Sequence, residues 1–416
     1  MTSDDHEAYV WVWLSGRTEP VVAGRLYQEG ARLAFNYGRS YLDRDDAISL
    51  YLPELPLRRG AIPPLPGLSM PGCLRDGAPD AWGRRVVLNR LLGRPGRDTD
   101  PGQLGELTYL LNSGSDRPGA LDFQRSASEY VPRQSGGASL EQLLEAAAFV
   151  EAGKSLPPAL DQALFHGSSL GGARPKAEIE SGDRKYIAKF SSSTDTYDVV
   201  KVEYVAMRLA ADLGLRVAPV HLKRVAGKNV LLVERFDRNK AGNGWTRKAM
   251  VSALTLFELD EMMARYASYE TLSEIIRHRF TEPTATLREL FGRLVFNVLC
   301  GNTDDHARNH AAFWNGDSLT LTPAYDICPQ ARTGNEASQA MLIDGDQRLS
   351  NLNVCRGAAR HFLLSEDGAN EIIGEQIAGI REKLPAVMEE AELSEVDRRL
   401  VSQRMFLNPA VFESVD

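Results

Sequence analysis

The sequence predicts an α+β protein in which two regions rich in β-strands precede a region of helices. Residues 9–15 and 19–37 are short β-type runs interrupted by glycines, a pattern typical of a small antiparallel sheet. Residues 177–190 combine AEIE, the turn Ser181-Gly182-Asp183 and RKYIAKF, which predicts a hairpin. Apolar residues recur at helical spacing in three later stretches: 247–263, 268–279 and 286–300.

Taken in order, these patterns divide the chain into three domains. Residues 1–130 form the first, in which a helix over residues 79–92 follows the sheet. The Pro-, Ser- and Gly-rich stretch 131–139 marks its end, and Ser139 is a plausible N-cap for the next helix. Residues 131–246 form a β-rich lobe with one helix from Tyr197 to Leu213. Residues 247–416 form a helical lobe, interrupted only at 301–329.

Composition excludes several classes of protein. With 48 basic and 56 acidic residues and a net charge of −8, the chain is not expected to bind nucleic acid by bulk charge. The four cysteines show no C-x-x-C spacing, so neither a zinc site nor a disulfide framework is predicted. The polar first residues lack a secretory pattern, and no apolar run reaches the ~20 residues of a membrane span. We therefore expect a cytoplasmic protein without a membrane partner.

The sharpest feature is the polar run Gly301-Asn302-Thr303-Asp304-Asp305-His306-Ala307-Arg308-Asn309, which directly follows an apolar helix. A hairpin pattern with Asn315-Gly316-Asp317 at its turn comes next. This hairpin would return the chain so that Asp326 lies close to the polar run.

These residues match the parts that phosphoryl transfer requires. Asp304 precedes Asn309 by five residues, the spacing of a kinase catalytic loop in which an aspartate is followed by a metal-binding amide. Asp326 would then be the second magnesium ligand. Alone, Asp304 would more often be an ordinary turn residue. Its place in an ordered set favours the catalytic role.

Residues upstream would hold the nucleotide. A loop of small residues whose amides could bind phosphate precedes the hairpin and runs through Ser168, Ser169, Leu170, Gly171, Gly172, Ala173, Arg174, Pro175 and Lys176. Lys189 has the position of the strand lysine that pairs with phosphates, and Glu203 could orient it. Glu234, Arg235 and Phe236 lie where a hinge would grip adenine. Lys189 and Glu203 could instead be surface residues, and the two serines simple turn formers.

Four ordered motifs resemble the signatures of the HipA family of kinases: Gly-Gly-Ala-Arg-Pro-Lys, Val-Glu-Arg-Phe-Asp-Arg, Gly-Asn-Thr-Asp-Asp-His-Ala-Arg-Asn and Leu-Thr-Pro-Ala-Tyr-Asp. Residues 74–87 also resemble the family's small N-terminal domain. The resemblance implies a two-lobed, protein-kinase-like α+β fold with an N-terminal sheet-plus-helix domain.

The resemblance also implies site residues. Asp304 would accept the proton, Asn309 and Asp326 would bind Mg²⁺, and the loop with Lys189 would contact the phosphates of ATP. His306 and Tyr325 would lie beside the nucleotide, and Glu234 and Phe236 would meet adenine. Ser169, or else Ser168, would be autophosphorylated.

Function follows the family in the same way. The resemblance implies a serine/threonine-protein kinase toxin that acts on an aminoacyl-tRNA synthetase or another translation protein. Its partner would be a helix-turn-helix antitoxin of the HipB type, through which alone it would meet operator DNA. Arginines 84, 85, 90, 94 and 97 could face DNA or the antitoxin, although a solvated helix face is the simpler interpretation. Two alternatives stay open: a small-molecule phosphotransferase of the aminoglycoside or lipid kind, and a non-catalytic corepressor.

Overall fold

The computed structural model describes residues 5–92, 100, 102, 104–133, 138–152, 154, 156–164, 168, 169, 172, 174–332, 334 and 336–413. The chain divides into two compact units. The first unit comprises Met1–Thr194, Lys223–Val251 and Phe313–Asp317, and the second comprises Asp195–Leu222, Ser252–Ala312 and Ser318–Asp416. The three-domain division of the sequence stays a prediction.

The first unit begins with the small antiparallel sheet that the glycine-interrupted runs predict. Its strands lie in the order β3-β2-β1-β4: β1 (Glu7–Val12), β2 (Val21–Glu29), β3 (Arg32–Tyr37) and β4 (Leu121–Gln124). Trp11 and Trp13 are buried and both pack against the ring of Tyr130. Four helices accompany the sheet: α1 (Arg39–Leu42), α2 (Gly72–Arg75), α3 (Ala81–Leu92) and α4 (Glu106–Asn112).

A second sheet follows, in the order β5-β6-β8-β7. It consists of β5 (Lys176–Ser181), β6 (Arg184–Phe190), β7 (Val220–Val225) and β8 (Lys228–Glu234). The predicted hairpin of β5 and β6 is confirmed. Helix α5 (Leu140–Glu151) begins with the predicted cap at Ser139, which forms a capping box with Gln142, and α6 (Pro158–Leu164) follows. Trp82, Leu144, Phe190 and Leu232 share the hydrophobic core beneath this sheet.

The remaining short strands form two further small sheets. β9 (Arg238–Ala241) and β10 (Gly244–Arg247) form a two-stranded hairpin. A three-stranded sheet has the order β11-β12-β13, with β11 (Met250–Ser252), β12 (Ala311–Trp314) and β13 (Leu319–Leu321). The predicted hairpin around Asn315-Gly316-Asp317 is therefore confirmed.

The predicted helix over 247–263 is wrong. Residues 250–252 join a sheet, and the Ser252 hydroxyl then caps only one turn of helix, α8 (Ala253–Leu256). Glu258 has a φ of 57°, a left-handed conformation that ends this turn. Residues Glu261–Tyr266 form a separate 3₁₀ helix. Strand pairing and caps override the apolar spacing here.

The other helices form the second unit. They are α7 (Val199–Asp212), α9 (Tyr269–Arg279), α10 (Pro283–Cys300), α11 (Leu352–Ala358), α12 (Glu366–Glu390) and α13 (Glu395–Leu400). The predictions for α7, α9 and α10 are confirmed. The expectation of helices directly after residue 329 is wrong for the described residues between 330 and 350, which contain isolated bridges instead. None of the helices in the described part of the chain has the length and apolar character that a membrane crossing requires.

Candidate active site

The polar run lies in a fixed loop at the end of α10. The helix ends at Gly301, whose φ of 75° is left-handed, and a Cβ there would lie 3.1 Å from the carbonyl oxygen of Met405. The next residue, Asn302, is buried and donates its Nδ2 to Oδ1 of Asn297 at 3.0 Å. Glycine at 301 thus permits both the left-handed turn that ends the helix and the close approach of the Met405 backbone.

Asp305 anchors this loop from below. Asp305 is buried, with 2% of its surface exposed. Its carboxylate accepts a hydrogen bond from the hydroxyl of Tyr269 and lies 2.9 Å from Nε2 of His310. Burial raises the pKa of Asp305, but the contacts with His310 and Tyr269 outweigh it, so the pKa is lowered. The carboxylate is therefore ionised and bound on two sides.

Asp304, the neighbouring residue, is exposed. Its carbonyl oxygen accepts the backbone N–H of His306 at 2.9 Å and Nδ2 of Asn309 at 3.1 Å. These bonds hold the turn, while Asp304 itself stays exposed. Because Nδ2 of Asn309 is bound in this way, its Oδ1 is the atom left to act as a metal ligand.

Asp326 approaches from the segment after β13. Ala324 forms a parallel bridge with Val217, and the hydroxyl of Tyr325 donates to the carbonyl oxygen of Arg308 at 2.7 Å. Asp326 then adopts a φ of 59°, a left-handed conformation that aspartate tolerates better than most residues. Its backbone is thus held at a strained position, as is common at functional sites.

The two predicted carboxylates influence each other. Desolvation by the surrounding protein and the charges of Asp326 and Asp305 raise the pKa of Asp304, while His306 opposes them. The second unit therefore places Asp304 and Asp326 close enough for their charges to interact. The amide oxygen of Asn309 and the carboxylate of Asp326 are the hard oxygen donors that Mg²⁺ prefers, so this donor set fits the predicted metal.

The predicted phosphate loop belongs to the first unit, and its Leu170, Gly171 and Ala173 lie outside the described residues. Gly172 has a φ of 100°, and a Cβ there would lie 2.1 Å from Nζ of Lys176. Its N–H donates to Oδ2 of Asp80 at 2.6 Å. Arg174 is half-buried, while Pro175 and Lys176 are buried. Only glycine permits the lysine to lie this close to the loop.

Lys189 of β6 is the register partner of Lys176 in β5. Residues directly opposite in an antiparallel pair share one face of the sheet. Two ammonium groups on one face, beside a glycine-containing turn, are suited to an anion. Glu203, in contrast, is buried within α7 of the second unit.

Ser168 and Ser169 are both fully buried. The Ser168 Oγ accepts the backbone N–H of Gly114 at 3.0 Å, whereas the Ser169 Oγ has no hydrogen-bond partner in the described part of the chain. The Ser168 carbonyl oxygen lies close to α3, since a Cβ at Gly83 would be only 2.0 Å from it. The two serines therefore differ in what holds them.

The Val-Glu-Arg-Phe-Asp-Arg motif forms a buried ion cluster in the first unit. Arg235 donates to both oxygens of Asp237, at 3.0 and 2.8 Å, and Arg238 donates to Asp116 at 2.7 Å. Glu178 accepts from Arg235 at 3.2 Å. We call the set Asp116, Glu178, Lys185, Arg235, Asp237, Arg238 and Arg247 the Arg235 cluster.

The predicted nucleotide contacts of this motif are placed as follows. The Arg235 side chain is enclosed in the cluster, which leaves only its backbone for a ligand. Glu234 is half-buried and pairs with Arg184, and Phe236 is half-buried with its ring edge-on to Phe313. Their roles toward adenine stay predictions.

Sequence reasoning missed the supports of the site. Asp305 could have been suspected from its position beside Asp304, but Tyr269 precedes it by 36 residues and carries no motif. Asp116 is 122 residues from Arg238. Such pairings exist only once the chain has folded.

Comparison with known proteins agrees with the motifs. The model of the HipA-like C-terminal domain matches residues 168–384, and that of the HipA N-terminal domain matches residues 11–124. A putative kinase, Y4mE, of Sinorhizobium fredii is 25% identical over 343 residues, covering 76% of each chain. The serine/threonine-protein kinase toxin HipA of Shewanella oneidensis is 25% identical over 203 residues, 43% of this chain and 47% of the toxin.

The fold is also found among solved structures. A chain of the Shewanella oneidensis HipA, HipB and operator DNA complex superposes with a TM-score of 0.67, covering 95% of this chain and 94% of that one at 18% identity. The α+β, kinase-like fold predicted from the sequence is thereby confirmed.

Proposed function

Because this chain belongs to the HipA family of kinase-like proteins, we propose that it transfers the γ-phosphoryl group of ATP to a serine or threonine of a protein. The observation that carries the proposal is the pair of adjacent carboxylates, one exposed with a raised pKa and one buried and fixed. A base for a hydroxyl proton must be accessible, while its loop must not move.

In the proposed reaction, an Oδ of Asp304 orients the substrate hydroxyl and accepts its proton. The raised pKa of Asp304 makes it a better proton acceptor than an ordinary aspartate. Asp305, held by Tyr269 and His310, keeps the loop in place. Asn309 and Asp326 would hold Mg²⁺, which neutralises phosphate charge when it is bound.

The residues of the first unit would bind the nucleotide. Lys176, Lys189 and the backbone at Gly172 would contact phosphates, and the backbone of Glu234 to Phe236 would contact adenine. In the same proposal His306 and Tyr325 lie beside the nucleotide, and the predicted role of Glu203 stays a prediction.

Autophosphorylation would fall on Ser169 rather than Ser168. A buried hydroxyl must leave its position before it can react. Release of Ser168 breaks its bond with Gly114, whereas release of Ser169 exposes a hydroxyl without a partner in the described residues and lets it bind water. The same release would withdraw the loop from the phosphates and inactivate the protein.

The proposed biological role is that of a growth-arresting toxin in the cytoplasm. Its substrate would be an aminoacyl-tRNA synthetase or another translation protein. The related fold in a complex of HipA, HipB and operator DNA supports a HipB-type antitoxin as partner. Operator DNA would be reached only through that complex.

The test compares wild-type protein, Asp304→Asn and the control Asp317→Asn. Asp317 is an exposed aspartate in the β12–β13 turn. Each protein is incubated with labelled ATP, Mg²⁺ and cell lysate, with lysate alone as blank, and phosphopeptides are identified by mass spectrometry. We expect wild type and Asp317→Asn to label a translation protein and Ser169, and Asp304→Asn to lose about 100-fold or more of this activity.

Three outcomes would contradict the proposal. If Asp304→Asn labels proteins as strongly as wild type does, Asp304 is not the proton acceptor. Labelling of sugars, antibiotics or lipids instead of proteins identifies a small-molecule phosphotransferase. ATP binding without transfer, together with partner-dependent operator binding, identifies a corepressor.

A further inference from the structure

Three side chains from separate elements of the second unit converge away from the proposed active site. Glu270 lies in the first turn of α9, Asp344 in the turn that bridges to Gln347, and His361 in the 3₁₀ helix Ala359–Phe362. One ligand atom from each lies within 4.8 Å of the others. No role in phosphoryl transfer draws on these residues.

Their spacing fits a metal ion. Nε2 of His361 lies 2.9 Å from Oδ1 of Asp344 and 3.7 Å from Oε2 of Glu270. Ligands of a tetrahedral ion with bonds of about 2.0–2.1 Å are about 3.3 Å apart. The two distances bracket this value, and the ligand atoms of Glu270 and Asp344 lie within 4.8 Å of each other.

The surroundings also resemble those of a metal centre. Arg360 donates to both oxygens of Asp344, at 2.7 and 3.3 Å, and the N–H of Gly345 donates to Glu270 at 3.3 Å. Such outer partners orient metal-binding carboxylates. His361 and Asp344 expose 13% and 21% of their side chains, and Glu270 exposes 47%, so the group is open toward solvent on the Glu270 side.

We propose that Glu270, Asp344 and His361 bind a divalent transition-metal ion, Zn²⁺ being the best match to one imidazole and two carboxylates. Three protein ligands would leave a fourth position for water. Mg²⁺ fits poorly, because it rarely takes imidazole and prefers oxygen ligands.

Binding would also stiffen a support of the active-site loop. Glu270 follows Tyr269, whose hydroxyl donates to Asp305. An ion joining Glu270 to Asp344 and His361 would fix the first turn of α9. The site would be structural or regulatory, and its existence does not depend on the proposed kinase activity.

The test uses tag-free, chelator-treated full-length protein. Zn²⁺ binding is measured by calorimetry, and Co²⁺ is used as a spectroscopic probe because tetrahedral coordination gives intense visible absorption. The variants are His361→Gln and Asp344→Asn, with circular dichroism to confirm folding. The matched control is His278→Gln, which alters an exposed His–Glu pair at 2.9 Å on the same helix.

We expect wild type and His278→Gln to bind one ion and to show the Co²⁺ band. Folded His361→Gln and Asp344→Asn should lose the band and at least about tenfold in Zn²⁺ affinity, the loss typical even of an outer partner. Asp326→Asn should retain the band, which separates this site from the proposed Mg²⁺ ligands. Unchanged binding in His361→Gln, or no binding by wild type, would overturn the proposal and leave the group as a hydrogen-bonded His–Asp–Arg cluster.

Discussion

Two charged motifs of this chain have opposite structural roles. In the Arg235 cluster, arginines and carboxylates are all buried and bind one another, and the first unit closes around them. In the loop after α10, Asp305 is buried, whereas its neighbour Asp304 is exposed and has a raised pKa. The two charged motifs therefore differ in accessibility, and only the loop after α10 leaves a carboxylate that a substrate could reach.

The chain offers a way to observe the two regions separately. All five tryptophans, at 11, 13, 82, 245 and 314, belong to the first unit. Tryptophan fluorescence therefore reports unfolding of the first unit, while far-UV circular dichroism is dominated by the helices of the second.

The largest stability effect should come from Asp237→Asn. Removing this carboxylate leaves the buried Arg235 and Arg238 with Asp116 as the one carboxylate that they still share, and breaking a buried pair costs about 3–5 kcal/mol. Urea unfolding followed by tryptophan fluorescence should shift to lower urea. A variant as stable as wild type would mean that the cluster rearranges, and the comparison between the two motifs would lose its basis.

A smaller effect concerns how the same carboxylate changes the free energy of unfolding at acid pH. Burial raises the pKa of Asp237, but Arg235 and Arg238 prevail and lower it from 3.8 to about 2. A depressed pKa stabilises the fold above the unfolded value, and this contribution of about 2 kcal/mol is lost as pH falls from about 4 to about 2.

The stability gap between wild type and Asp237→Asn should therefore narrow below pH 4. Glu178, whose pKa is raised to about 8 chiefly by burial and by Asp116, is protonated throughout this range in the folded state and does not obscure it. The measurement is urea unfolding at several pH values. A gap that stays constant would show that Asp237 titrates normally.

Tyr269→Phe should have an effect of similar or smaller size in the second unit. It removes the hydroxyl donor to Asp305 while His310 remains, and a hydrogen bond to a charged group contributes about 1.5–3 kcal/mol. The circular dichroism transition should shift and the tryptophan transition should not. Phosphoryl transfer should show a lower kcat with little change in the KM for ATP, since the loop rather than nucleotide binding is disturbed. A change in KM alone would contradict the positioning role of Asp305.

Much of this architecture is legible in the sequence. Glycine-interrupted β runs, the Ser139 cap and the helical spacing of α9 and α10 act locally, so they predict the elements. The spacing of Asp304 and Asn309 also predicts that these two residues lie near each other, because both belong to one short loop. The pairing of Met250–Ser252 in a sheet is not local, and the apolar spacing of 247–263 therefore predicted a helix wrongly. The burial of Arg235 could not be foreseen either, since Asp116 is brought to it only by folding.

The absence of a side chain at Gly83 determines how closely Ser168 can approach α3, and so bears on the proposed regulation. A Cβ at Gly83 would lie only 2.0 Å from the carbonyl oxygen of Ser168. The backbone of Ser168 can therefore lie against α3 only because residue 83 is glycine. Alanine at this position would act as a wedge. It would displace the backbone of Ser168 without altering a serine, a lysine or a carboxylate. The effect of the serine position on activity could then be measured separately from the effect of phosphorylation.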